Sequence, residues 1–255
     1  TQKGIGNGIS LIIFAGIVSA IPNAIGGTIE LVNNGQMNFL TVLAILVIII
    51  VTVGSIIYVE LGERRVPVSY SRKVMIENQK KRVMNYIPIK VNLSGVIPAI
   101  FASAILMFPS TVLQGSQNKY LMMIADYLNP SSYTFNLFMF LFVLFFAFFY
   151  ASITFNAKDI SENLKKQGGF IPGVRPGAST AEFLNEVAGR LTFWGAIYMG
   201  LISTLPWLIV KAMGVPFYFG GVAVLIVVQV AIDTMRKIEA QQYMNKYQTL
   251  SAVGL

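Results

Sequence analysis

The side chains best suited to contact a charged partner are concentrated in two polar segments. The first covers residues 60–92 and contains eight basic and three acidic side chains. Within it, residues 66–71 (VPVSYS) alternate apolar and polar side chains, which predicts a short, exposed hairpin arm with cations at both ends. Such an arm could bind RNA phosphate or an acidic protein, although the same charges could serve only to fix membrane orientation. The cations at its ends are Arg64, Arg65, Arg72 and Lys73.

The second polar segment covers residues 156–189 and contains a single arginine between two Pro-Gly pairs. Arg175 follows Pro172-Gly173 and precedes Pro176-Gly177. Because proline fixes φ and glycine allows left-handed conformations, the spacing predicts a stiff tip that holds one guanidinium toward a partner. The alternative is an ordinary turn with a solvated arginine.

Several kinds of chemistry are excluded by residue types that are missing from the sequence. The 255 residues include no cysteine and no histidine, so thiolate catalysis, disulfides, iron–sulfur ligation and imidazole metal ligation are all ruled out. The sequence also has no GxxxxGK[ST] phosphate-binding loop. We therefore predict no catalytic residue, no metal site and no cofactor.

The composition is that of a membrane protein. Hydrophobic residues make up 55% of the chain and charged residues 12%, with a mean hydropathy of +0.66, whereas soluble domains carry about 25% charged residues. Runs without charge predict an all-α, polytopic membrane protein with six transmembrane helices. These are residues 8–26, 39–59, 93–113, 135–155, 191–210 and 217–232.

The distribution of basic residues predicts the orientation of these helices. Of the 19 Lys and Arg residues, 17 fall on alternate flanks that include both termini, which places both termini in the cytoplasm. The chain then divides into two helices, a basic cytoplasmic loop, two helices with an external loop, a second cytoplasmic loop, two helices and a tail. The corresponding ranges are 1–59, 60–92, 93–155 (external loop 114–134), 156–190, 191–235 and 236–255.

No ionisable residue lies in the core of any predicted span, which disfavours proton-coupled or sodium-coupled transport. The nearest carboxylates, Glu60 and Asp233, lie at cytoplasmic ends, where we expect them to be solvated beside Arg64 and Arg236. Gln229 could line a polar path or bond to a neighbouring helix.

Five segments, in order, resemble the bacterial SecY family, which forms the pore subunit of the protein-conducting channel. The resemblance covers nearly the whole chain but only the fifth to tenth of that family's ten helices. It implies the C-terminal half of an inverted-repeat channel. Because the chain begins at Thr1 and enters a span within a few residues, we expect it to be a fragment that lacks the N-terminal helices. The segments are 4–19, 63–73, 90–105, 155–177 and 215–221.

The resemblance implies a ring of aliphatic side chains at the narrowest part of the pore. Its members in this sequence would be Ile9, Ile13, Ile100 and Ile226, with the others in the absent helices. A narrow apolar collar dewets and blocks ions, yet offers an unfolded chain no hydrogen bonds. Without the resemblance, the spacing of Ile9 and Ile13, one helical turn apart, favours packing against neighbouring helices. Residues 222–224 (VAV) depart from the Thr or Ser and leucines of many relatives.

The resemblance also makes the third span one face of a lateral gate that opens to lipid. Gly95 and Pro98 should loosen its backbone near the cytoplasmic end. Asn92 matches a polar gate position, and Asn7 takes an analogous place in the first span. Either asparagine could instead satisfy helix-terminal amides.

The expected partners follow from the same resemblance. Arg64, Arg65 and Arg175 match loop positions that in this family meet the ribosome or the SecA motor. SecE should clamp the two halves, and SecG would accompany them. The implied activity is passage of signal peptides and unfolded secretory chains across the cytoplasmic membrane, with apolar segments released into membrane lipid. The alternatives are a membrane scaffold that recruits cytosolic proteins and a small-solute transporter.

Overall fold

A computed structural model of the chain describes residues 8–70, 85–115, 119–213 and 221–252. Within these residues the fold is predominantly helical, as predicted for an all-α polytopic protein. The helices are α1 (Gly8–Ser19), α2 (Ile21–Asn33), α3 (Phe39–Leu61), α4 (Ile97–Gln114), α5 (Lys119–Tyr127), α6 (Tyr133–Thr154), α7 (Ala157–Lys166), α8 (Ala178–Met213) and α9 (Gly221–Ala252). The strands are β1 (Glu63–Tyr70), β2 (Asn85–Lys90) and β3 (Gly169–Phe170), and they form one sheet in the order β2-β1-β3.

Four helical stretches of the described chain are long and apolar enough to cross a membrane. They are Ser10–Asn33, Phe39–Leu61, Tyr133–Lys166 and Ala178–Ile209. The third predicted span is a shorter apolar helix, Ile97–Leu113. The last predicted span coincides with the start of α9, and its residues 217–220 lie outside the described residues. Helices therefore occupy all six predicted positions, while the count of six crossings stays a prediction.

The chain divides into two compact units. The first consists of Thr1–Tyr58 and Ile202–Leu255, and the second of Val59–Leu201.

In the first unit, α1 packs against α9. Leu11 and Phe14 of α1 line a groove with Val230 and Thr234 of α9. The predicted span 8–26 falls on α1 and the start of α2, and Ala20 between them keeps a right-handed helical backbone (φ −82°, ψ −14°), so the two helices belong to one stretch. Pro22 lies in the first turn of α2, where its missing N–H group costs no helical hydrogen bond.

In the second unit, α4 packs against α6 through small side chains. Ala99 and Ala102 of α4 are completely buried, as are Val143 and Ala147 of α6. Small residues at a helix interface let the two backbones approach closely. Close van der Waals packing of this kind stabilises helix association in lipid, where the hydrophobic effect does not drive helices together.

The described polar segments of the second unit form a separate folded layer, which we call the loop platform (residues 62–70, 85–92 and 155–190). Its core is a cluster of apolar side chains from the sheet, α7, the β3–α8 connection and the start of α8. The predicted hairpin is therefore part of a packed structure rather than an isolated arm. The buried members of the cluster are Val66, Ile89, Ala157, Ile171, Ala181 and Leu184.

The third predicted span begins later than its charge-free run suggests. Gly95 lies before α4 and has a φ of 65°, a left-handed conformation that favours glycine. Pro98 is buried in the first turn of α4, where it interrupts no hydrogen bond. Gly95 and Pro98 therefore lie before and at the start of α4, so neither interrupts the helix, and a looser backbone at this end of the span stays a prediction; the proline inside the helix is Pro109.

Candidate functional site: the loop platform and the apolar helices

The β1–β2 hairpin places one of its two arginines in a fixed position. The strands are antiparallel, and Val66 and Val68 of β1 are buried while Arg65 is exposed. Arg65 Nε donates a 2.7 Å hydrogen bond to Glu63 Oε1, and its guanidinium carbon lies 4.8 Å from the centre of the Tyr86 ring. The hydrogen bond to Glu63 raises the pKa of Arg65 above its ordinary value. Arg65 is therefore a positioned cation.

The neighbouring arginine is differently placed. Arg64 is also exposed but forms no ion pair with any residue that the structure describes. Its charge is available to an external partner, whereas that of Arg65 is already shared with Glu63. The other two cations of the predicted arm, Arg72 and Lys73, lie outside the described residues.

The tip that carries Arg175 is held by side-chain hydrogen bonds from both flanking helices. Ser161 Oγ of α7 donates to the Gly177 carbonyl oxygen at 2.7 Å, and Thr180 Oγ1 of α8 donates to the Arg175 carbonyl oxygen at 2.9 Å. Gly173 and Gly177 have φ values of 86° and 105°, which only glycine adopts easily. The backbone of Arg175 is thus fixed while its side chain is exposed.

Asn92 is joined to Glu60 in the interior of the second unit. Its side-chain Nδ2 donates a 2.5 Å hydrogen bond to Glu60 Oε1, and Ser94 Oγ donates to Asn92 Oδ1 at 3.3 Å. Glu60, Asn92 and Ser94 are only 4–5% exposed. The expectation of a solvated Glu60 beside Arg64 is therefore wrong: the fold buries this carboxylate against an amide.

Asn92 does not cap the helix that follows it. The N-cap residue of α4 is Val96, and no side chain caps its first amides. The capping alternative for Asn92 is therefore wrong, because the amide is used by Glu60 and Ser94 instead. Asn7 lies outside the described residues.

The residues of the predicted isoleucine ring lie in both units. In the first unit, Ile13 is half-buried on α1, and Ile226 is 6% exposed on the neighbouring helix α9. Ile226 precedes the groove residue Val230 by about one helical turn. In the second unit, Ile100 is half-buried in the first turns of α4. Ile9 belongs to α1, and its side chain is outside the described part of the chain.

Two contacts in the second unit were not anticipated from the sequence. One is the link between Asn92 and Glu60, which are 32 residues apart. The other is the close approach of α8 to residue 91: a β-carbon added at Gly195 would lie 2.8 Å from the Val91 carbonyl oxygen. A glycine within a long apolar run was the one signal for the second contact.

Gln229, the amide in the middle of α9, has a buried side-chain oxygen. Its Oε1 accepts no hydrogen bond from the described residues. The expected bond from this oxygen to a neighbouring helix is thus not formed within this part of the chain.

Long apolar helices joined to a folded polar platform define a multi-pass membrane protein. Comparison with known proteins identifies its family. The sequence model described as SecY matches residues 1–235. The chain belongs to the SecY family, and the resemblance carried by its five motifs is confirmed.

Curated relatives support the same assignment. The chain is 66% identical over 255 residues to the protein translocase subunit SecY of Helicobacter pylori (strain ATCC 700392 / 26695), covering 100% of this chain and 61% of that protein. It is 41% identical over 253 residues to the protein of the same name from Escherichia coli (strain K12), covering 98% and 57% respectively. The chain therefore spans about three fifths of the length of these relatives.

Solved structures show the same fold at lower sequence identity. One, titled "The structure of a protein conducting channel", has a TM-score of 0.67 at 19% identity, with 94% of this chain and 60% of the other covered. A second, whose title concerns the plug domain of the SecY protein, has a TM-score of 0.67 at 20% identity over the same shares. The fold of this chain is thus that of part of a SecY channel.

Proposed function

We propose that this chain is the C-terminal part of a SecY-type channel that passes unfolded polypeptides across the bacterial cytoplasmic membrane. It releases apolar segments into lipid through a lateral gate and catalyses no covalent reaction. The observation that carries the proposal is the SecY match over residues 1–235. Relatives named as protein translocase subunits support it, as does a solved neighbour titled as a protein-conducting channel.

The pore would be closed by an aliphatic collar to which Ile9, Ile13, Ile100 and Ile226 contribute. Support comes from their apolar chemistry and from the packing of α1 against α9. An apolar constriction dewets and excludes ions, while it offers a moving polypeptide no fixed polar partner. The absent N-terminal helices would complete the collar.

The lateral gate would include the start of α4. Asn92, Gly95 and Pro98 all lie within or just before its first turn. Asn7 would lie on the opposing face. The left-handed turn at Gly95 gives this segment a defined end at which the helix can pivot.

The loop platform would bind the cytosolic partner that supplies energy, either the SecA motor or a ribosome. The exposed guanidinium of Arg175 on a fixed backbone, together with Arg64, supports this role. Arg65, Arg72 and Lys73 would add to the same positive surface. This arrangement requires the platform and both termini to be cytoplasmic, in agreement with the distribution of basic residues.

SecE would hold the two halves of the channel together, and SecG would associate with them. The energy for transport would come from the cytosolic partner, through ATP hydrolysis by the motor or chain elongation by the ribosome, since this sequence has no GxxxxGK[ST] phosphate-binding loop of its own. The substrates would be signal peptides and unfolded secretory chains.

The proposal is tested by reconstituting the complete channel, with its N-terminal helices, into vesicles. We expect motor-dependent uptake of an unfolded precursor that carries a signal peptide, and no uptake of the same precursor after it has folded. Protease protection of the precursor measures this uptake. Recruitment of the motor without uptake would instead support a scaffold, and motor-independent uptake of small solutes would support a transporter.

A further inference from the structure

The start of α4 is tied to the end of α3 by three successive links. The sheet register pairs Glu63 with Lys90, and the Val91 amide donates a 3.0 Å hydrogen bond to the Gly62 carbonyl oxygen. The third link is the 2.5 Å hydrogen bond from Asn92 to Glu60. The β1–β2 ladder therefore continues, through one backbone bond and one side-chain bond, to the beginning of the helix.

The same segment is confined on its other side by α8. Gly195 is buried, and a β-carbon there would lie 2.8 Å from the Val91 carbonyl oxygen and 3.6 Å from the Asn92 Cα. Residues 91 and 92 are thus held between the end of α3 and the middle of α8. Among the contacts of residues 91 and 92, the hydrogen bond from Asn92 to Glu60 is the one that uses a carboxyl side chain. A conservative substitution of that side chain can therefore test it.

We propose that Glu60 is a positioning residue that fixes the start of α4 and thereby limits the opening of the lateral gate. This inference rests on the proposed function only in its second part. A carboxylate buried in the interior is costly unless it is hydrogen-bonded, and Asn92 supplies such a bond. Any movement that separates α4 from α3 must break it.

The occupied amide of Asn92 gives the proposal a further consequence. Its oxygen accepts from Ser94 and its nitrogen donates to Glu60, so both ends of the side chain are engaged within this unit. Loss of Glu60 removes one of the links that hold the start of α4 and is therefore expected to favour the open gate, whereas mere destabilisation of the fold would reduce activity.

The test uses the purified complete channel with a single cysteine in place of Val96, which is 9% exposed at the start of α4. Maleimide labelling of this position, followed by mass spectrometry, reports how often the segment opens. Glu60→Ala should accelerate labelling about tenfold, because the side-chain amide of Asn92 loses its buried hydrogen-bond acceptor. Glu60→Gln should label at the parental rate, since its amide oxygen still accepts from Asn92.

A double-mutant cycle and a control cysteine make the result specific. Asn92→Ala should accelerate labelling like Glu60→Ala, and the double variant should label no faster than either single one. A cysteine at Val143, completely buried in α6, should label at the parental rate in every variant. Any of three results would overturn the proposal. These are a parental labelling rate at position 96 in Glu60→Ala, a labelling rate in the double variant that multiplies the two single effects, and faster labelling at position 143.

The gating role of Glu60 is tested by translocating a precursor that carries a weakly apolar segment. The measured quantity is the fraction of that segment that enters lipid. We expect Glu60→Ala to raise this fraction and Glu60→Gln to leave it unchanged. An unchanged or lowered fraction in Glu60→Ala would overturn the gating role. A channel that translocates nothing, even with Glu60 present, would refute the proposed function, while the labelling rates would still decide whether Glu60 positions α4.

Discussion

Arg175→Glu is expected to abolish export driven by a cytosolic motor while leaving membrane insertion of the chain itself intact. The exposed guanidinium stands on a tip whose backbone is held by Thr180 and Ser161, so a partner need not order that backbone in order to bind Arg175. Reversing a charge at the centre of a contact typically costs 2 kcal/mol or more, which corresponds to at least about a thirtyfold loss of affinity. Motor-dependent uptake of a precursor into vesicles measures the effect.

Two variants serve as controls for Arg175→Glu. Lys166 is an exposed cation in the last turn of α7 on the same platform, and Lys166→Glu should keep export within about twofold of the parent. Arg175→Lys should give an intermediate loss, because lysine keeps the charge but not the planar fork of donors. Normal export by Arg175→Glu would remove Arg175 from the docking surface.

Ile100→Gly is expected to raise the resting ion conductance of the reconstituted channel. The substitution removes a branched apolar side chain from the proposed collar and so lowers the barrier to wetting; we expect about a tenfold increase in ion flux, which corresponds to a barrier lower by about 1.4 kcal/mol. Ile100 is in the first turns of α4 and is half-buried within its own unit. Planar-bilayer conductance of the idle channel is the measurement.

The matched control for Ile100→Gly is the next residue along the helix. Phe101 is 51% exposed and belongs to the same helix, so Phe101→Gly imposes the same helix-propensity penalty of about 1 kcal/mol without removing a collar residue. It should leave conductance unchanged, and Ile100→Leu should remain sealed. Equal conductance in Ile100→Gly and the parent would favour a scaffold that conducts nothing.

Much of the fold could be predicted because its signals are local. A run of apolar residues long enough to span a bilayer indicates a helix such as α3. Alternation in residues 66–71 indicated a strand, and β1 covers most of that range. The two Pro-Gly pairs indicated the turn at Arg175, where Gly173 and Gly177 have positive φ. Family membership followed from five ordered motifs.

The remaining features depend on contacts between distant residues. The burial of Glu60 requires Asn92, which is 32 residues away, and no local pattern shows that the two meet. A charge-free run does not show where its helix begins, and Pro98 falls in the first turn of α4, where it interrupts no helical hydrogen bond. The first residue of α4 is thus set by contacts such as that between Asn92 and Glu60 and by the left-handed backbone of Gly95, not by the hydropathy of the sequence.

We propose that an isoleucine collar surrounds the polypeptide in transit. Its most direct test places a photoreactive amino acid at position 13, 100 or 226 of the complete channel, with a precursor stalled in passage. We predict cross-links from all three positions to the precursor, and cross-links to lipid from control positions Phe39 and Phe108, each 74% exposed. Cross-links from positions 13, 100 and 226 to lipid, with none to the precursor, would contradict the account.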